Sequence, residues 1–142
     1  MDTNTKMNTN ELEVMNERDK KYNETTFENI KHIDENGNEY WLARELQRKL
    51  EYKEWRKFEG VIEKAKDTCN NSNINVYDHF VEAAKMVNIG SGAEREIEDV
   101  MLSRYACYLI VMNGDPRKEA IAVGQTYFAI KTRQQELIEN YE

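Results

Sequence analysis

Between Val100 and Met112 the chain carries Val100, Met101, Leu102, Tyr105, Ala106, Tyr108, Leu109, Ile110 and Met112, a segment that would be apolar on nearly every side of a helix. Such a helix is stable only inside a core, so the spacing predicts one central buried helix that the rest of the chain must cover. The acids ahead of it, Glu94, Glu96, Glu98 and Asp99, suit the positive end of a helix dipole and are read as its first turns. Asn113-Gly114 closes it. Asp115-Pro116 then opens another helix, with Asp115 able to cap free N–H groups and Pro116 fitting the first helical position. No breaker follows, and Val123, Tyr127, Ile130, Gln134, Leu137 and Tyr141 recur at steps of four and three. That is a short heptad seam, and it predicts a homodimer through the last helix. Because the pattern still runs at Glu142, the helix is expected to continue in a longer protein or to seek a partner.

Upstream, residues 1–25 are rich in Asn, Thr and Glu and read as a disordered polar tail. A single domain over 26–142 is expected, opening with a β-hairpin about Asn36-Gly37, the dipeptide of tight two-residue turns. In that register Ile33 faces Tyr40 and His32 faces Trp41. Leu42, Leu46 and Leu50 form one stripe of a short helix, which Glu51-Tyr52-Lys53 interrupts. From Glu54 to Asp67 a second helix places Trp55, Phe58, Ile62 and Ala65 on one side. Asn70-Asn71-Ser72-Asn73 breaks it. A third helix over 76–87 would bury Tyr77, Phe80, Ala84 and Val87 before Gly90-Ser91-Gly92 turns the chain into the next. The expected fold is therefore α+β but mainly α: an N-terminal hairpin, then a five-helix domain with a helix-turn-helix-like unit and a long C-terminal helix.

Charge limits the functions open to such a chain. With 27 acids against 20 bases the net charge is −7, which gives no global attraction to nucleic acid or to an anionic membrane. Any DNA contact, single- or double-stranded, must come from a local patch. Lys53, Lys57 and Lys64, with Gly60 among them, lie opposite the apolar side of the second helix, where successive phosphates could be met. Arg44, Arg48 and Arg56 extend the basic set. Residues 41–69 carry eight bases and six acids, a local +2. Glu54, Glu59 and Glu63 share the helix, so the pattern also fits an ordinary mixed-charge solvated face.

No set of residues has the spacing of a catalytic or metal site. Cys69 and Cys107 have no CxxC partner and read as reduced core thiols. His32 and His79 lack a nucleophile or carboxylate at a useful spacing, and Gly90-Ser91-Gly92 lacks the ending and the preceding strand of a phosphate loop. The expectation is no enzyme, no metal and no cofactor. The longest greasy stretch, Tyr105 to Met112, is too short to cross a membrane, and the polar start carries no signal peptide, so a cytoplasmic location with no membrane contact is expected.

Several blocks carry a resemblance. Tyr40-Trp41-Leu42-Ala43-Arg44-Glu45-Leu46, the Trp55-Arg56 pair and VIEKAKDTC resemble the opening of the DinD (DNA-damage-inducible) proteins. The run MLSRYACYLIVMNGDPRKEAIAVGQTYFAIKTRQQE resembles their central signature, and looser versions of the same blocks occur in the BRO-N domains of phage antirepressors. The resemblance covers about Phe27 to the C-terminus. It implies a module of the DNA-damage (SOS) response that acts on a recombinase–DNA filament or another damage-response partner, and alternatively a BRO-N-like DNA-binding domain. Members of the family are longer than this chain.

Overall fold

The computed structural model describes residues 28–141, so the polar tail lies outside the described residues. Among these, the elements are β1 (His32–Ile33), β2 (Glu39–Leu42), α1 (Ala43–Lys49), α2 (Trp55–Asn71), a 3₁₀ turn (Val76–Asp78), β3 (Phe80–Asn88), β4 (Glu94–Leu102), α3 (Arg104–Met112) and α4 (Glu119–Tyr141). The strands form one antiparallel sheet in the order β1-β2-β4-β3. This overturns the five-helix expectation: the described residues hold four helices and a four-stranded antiparallel sheet.

The largest correction falls on residues 76–102. The helix expected over 76–87 is a 3₁₀ turn followed by β3, and the acids from Glu94 lie in β4 rather than in a first helical turn. Gly90-Ser91-Gly92 is the hairpin loop between the strands. Gly90 and Gly92 sit at φ +96° and +75°, and even Ser91 is left-handed at +53°, a run no helix can continue through. The central helix is accordingly shorter: Val100 to Leu102 end β4, and Ser103 starts α3 by accepting a hydrogen bond from the Ala106 N–H at 3.0 Å.

Two smaller boundaries also move. The first hairpin pairs His32 with Tyr40 and Ile33 with Glu39, one residue off the expected register. Its turn is longer than Asn36-Gly37 alone: Asp34 N–H donates to the Asn38 carbonyl, Gly37 N–H to the Asp34 carbonyl, and the Asp34 carboxylate accepts from Asn36 and Asn38 N–H. Gly37, at φ +82°, is the left-handed residue that closes such a loop. At the other end, α4 begins at Glu119 rather than Pro116, because the Asp115 side chain holds Arg117 N–H and its guanidinium in a turn of its own.

A single core joins sheet and helices. Trp41, Leu46, Leu50, Phe58, Ile62, Leu102, Ile110 and Ile121 are wholly or almost wholly buried, and burial of each is worth roughly 1.5–3 kcal/mol. Cys69 and Cys107 are free and buried in the same cluster. Val123 and Tyr127, the first residues of the expected dimer seam, pack against this core, and Ile130 and Leu137 are half-buried. The side chains of Gln134 and Tyr141 lie outside the described residues.

Candidate nucleic-acid interface

Helix α1 has no N-cap of its own, since the side chain of Leu42 offers no acceptor. Asp99 of β4 takes that part: its nearly buried carboxylate accepts from the Arg44 N–H at 3.0 Å and from the Val100 N–H at 2.8 Å. Helix and strand are thereby pinned together. One residue earlier on β4, the Glu98 carbonyl accepts from Arg44 Nε at 2.9 Å, and its carboxylate accepts from Trp55 Nε1 at 3.1 Å. The Arg44 guanidinium lies over the Trp55 ring, 3.9 Å from its centroid. The Glu98 carboxyl is held below its ordinary pKa by the Trp55 N–H and then by Glu59, while Glu59, hydrogen-bonded to Glu98, is raised.

The connection between α1 and α2 is docked just as firmly. Tyr52 N–H donates to the Gln47 carbonyl and Gln47 Nε2 returns a bond to the Tyr52 carbonyl, while the Tyr52 hydroxyl accepts from Asp115 N–H at 2.9 Å. Glu51, left-handed at φ +67°, accepts Lys118 Nζ on its carbonyl and Ala120 N–H on its carboxylate. Lys118 in turn stands 4.8 Å from the Tyr52 ring centroid.

Between this connection and the β3–β4 hairpin runs an open groove of about 910 Å³. Five cations line it: Arg44, Arg48, Lys53, Lys85 and Lys118. Its carboxylate, that of Glu51, is engaged with Ala120 N–H. Among the described residues none of the five cations forms an ion pair with a carboxylate. Trp55, Tyr52, Val87 and Ile97 supply the apolar lining.

Strand alternation explains why the hairpin can serve as one wall. Lys85 pairs with Ile97 and Val87 with Arg95, all on the face that meets the groove, whereas Glu82, Glu94, Glu96 and Glu98 fall on the other face. The pleat thus segregates charge within a strand whose sequence mixes it.

Of the six sequence candidates, Arg44, Arg48 and Lys53 are brought together in the groove. Arg56, Lys57 and Lys64 are exposed on α2 outside it, and Lys53 precedes that helix, so the three lysines do not form one helical stripe. Lys85 and Lys118 were missed. The alternating acids Glu94, Glu96 and Glu98 were the signal for a strand, and hence for Lys85 on its partner.

Residues 29–129 match the BRO family, N-terminal domain. The chain belongs to that family. All five groove cations lie inside the matched region of the BRO domain. Over 114 residues the chain is 55% identical to the DNA damage-inducible protein D of Escherichia coli (strain K12), a match that covers 80% of this chain and 42% of the relative. The chain therefore spans less than half the length of that relative. No solved structure matches this chain. Among the described residues no three His, Cys, Asp or Glu side chains are arranged to hold a metal, and no helix is long and apolar enough to cross a membrane.

Proposed function

We propose that this BRO domain is a regulatory module of the DNA-damage-inducible type that binds DNA through the groove between α1 and the β3–β4 hairpin, without a catalytic step. The observation that carries the reading is the convergence there of five cations, none in an ion pair with a carboxylate among the described residues, in a chain of net charge −7. Uncompensated cations are what phosphate contact needs, because each displaces a condensed counterion. The relative's name, DNA damage-inducible protein D, supports the setting.

The test is a fluorescence titration with single- and double-stranded oligonucleotides at two salt concentrations. The expected result is micromolar binding whose logarithm falls with log salt at a slope up to about −4, for as many as five phosphates neutralised. Reversing Arg48, Lys53 and Lys85 to glutamate should cost at least about tenfold and flatten the slope. Reversing Lys57 and Lys64 should leave both nearly unchanged. Full binding by the groove variant would overturn the reading and return the contact to α2.

A second reading adds a protein partner, in its leading form a recombinase–DNA filament. It is favoured by the −7 charge, which opposes binding to naked DNA at a distance. The same titration on DNA coated by a recombinase separates the two: tighter binding than to bare DNA supports the filament, and equal binding removes it.

A further inference from the structure

The outer margin of the hairpin offers a different chemistry from the groove. Strand β3 is the last in the order β1-β2-β4-β3, and its nine residues pair with β4 without a break from Phe80–Leu102 to Asn88–Glu94. Just beyond the two ends, Ser103 N–H donates to the His79 carbonyl at 3.1 Å and Ile89 N–H to the Ala93 carbonyl at 3.0 Å. Hydrogen-bonded and non-bonded pairs alternate along an antiparallel ladder. In this register Val81, Ala83, Lys85 and Val87 therefore direct their backbone groups to β4, and Glu82, Ala84, Met86 and Asn88 direct theirs outward. No proline and no bulge interrupts the strand, although native edges are commonly blocked by such devices.

We propose that this edge, unpaired among the described residues, binds an extended polypeptide segment with basic side chains at alternate positions. An added strand continues the rows of side chains already on the sheet. On the face away from the groove those rows hold Glu82 itself, Glu98 beside Ala84, Glu96 beside Met86 and Glu94 beside Asn88. Ala84 is too short to screen Glu98, so a lysine or arginine set opposite Ala84 reaches across it to that carboxylate, one oxygen of which already accepts from Trp55 Nε1. At the start of the edge lies a hollow of about 370 Å³ lined by Lys66, Val76, Tyr77, Phe80, Val81 and Glu82. Tyr77 is 82% and Val81 47% exposed there, and they fit an apolar anchor residue of the same segment.

Charge also decides against two other occupants. Nucleic acid is repelled by four carboxylates. A second copy of β3 pairs about an axis normal to the sheet, which keeps equivalent faces on the same side and lays one acidic row beside the other. The proposal does not depend on the groove, which lies on the other face of the same hairpin.

The test titrates the whole chain with a short acetylated peptide of alternating lysine and valine, followed by amide NMR shifts. The amides of Glu82, Ala84 and Met86 should respond. Ala84→Pro should weaken binding by about tenfold or more, since it removes an outward N–H that the β4 ladder does not use. Because proline can disturb the strand itself, a backbone-neutral pair, Glu82→Lys with Glu96→Lys, serves as the second variant. It should lose the lysine peptide and bind one with glutamate in its place. Equal binding of the lysine peptide by that pair, or no response of the three amides at millimolar peptide, would overturn the proposal. So would a dimer that Ala84→Pro dissociates, which would give the edge to a second copy of this chain.

Discussion

Asp99 does across the sheet what a serine or aspartate ordinarily does at the head of its own helix. Its carboxylate, 3% exposed, satisfies one of the first free N–H groups of α1 and the N–H of Val100, and by doing so fixes where Arg44 stands in the groove. Removing it with Asp99→Ala leaves two backbone donors unpaired in a dry site. A loss of about 1–3 kcal/mol is expected in urea unfolding, with Asp99→Asn recovering part of it through the remaining amide oxygen. The residue was invisible as a cap in the sequence, where it closes a row of acids that suits a first helical turn. A side chain that caps a helix 55 positions away leaves no local spacing to detect.

At the scale of elements, α2 and β4 are joined through the carboxyl groups of Glu59 and Glu98. Trp55 N–H and Arg44 favour the charged form of Glu98, and the bond that a protonated Glu59 gives to Glu98 raises the pKa of Glu59. An acid raised on folding contributes stability at pH below its unfolded value and loses it as pH climbs through the folded one. Stability of the α2–β4 contact should therefore slope downward as pH rises out of the ordinary carboxylate range. Glu59→Gln, which mimics the neutral form, should flatten that slope in pH-dependent thermal unfolding, and an unchanged slope would mean that another group is responsible. The helices α1, α2 and α3 were largely legible from their apolar spacing. The β3–β4 hairpin was not, because Phe80, Ala84 and Val87 recur at helical steps, although in the folded strand Ala83, Lys85 and Val87 are half-buried and Ala84, Met86 and Asn88 exposed in strict alternation. Alternation was clean only in Glu94, Glu96 and Glu98. With the hairpin misplaced, half of the groove wall was missed, and only the α1 side of the site could be read.

At the scale of the molecule, the last helix belongs first to its own domain. Val123 and Tyr127 are committed to the core, so a homodimer of the kind the heptad spacing suggests must use the later turns, around Ile130 and Leu137, where Ile138 is 53% exposed. We propose such a contact, and light scattering should then show a dimer that dissociates on Ile130→Glu with Leu137→Glu; a monomer at high concentration would remove it. The start of this helix has another attachment. Glu51 and Tyr52 grip Ala120, Lys118 and Asp115 on one side, and on the other they set Lys53 in the groove. Root of helix and wall of groove are one piece of masonry, with Tyr52 as the keystone. A load applied along α4 by anything fastened to it is shared between the core and the stones that face the groove.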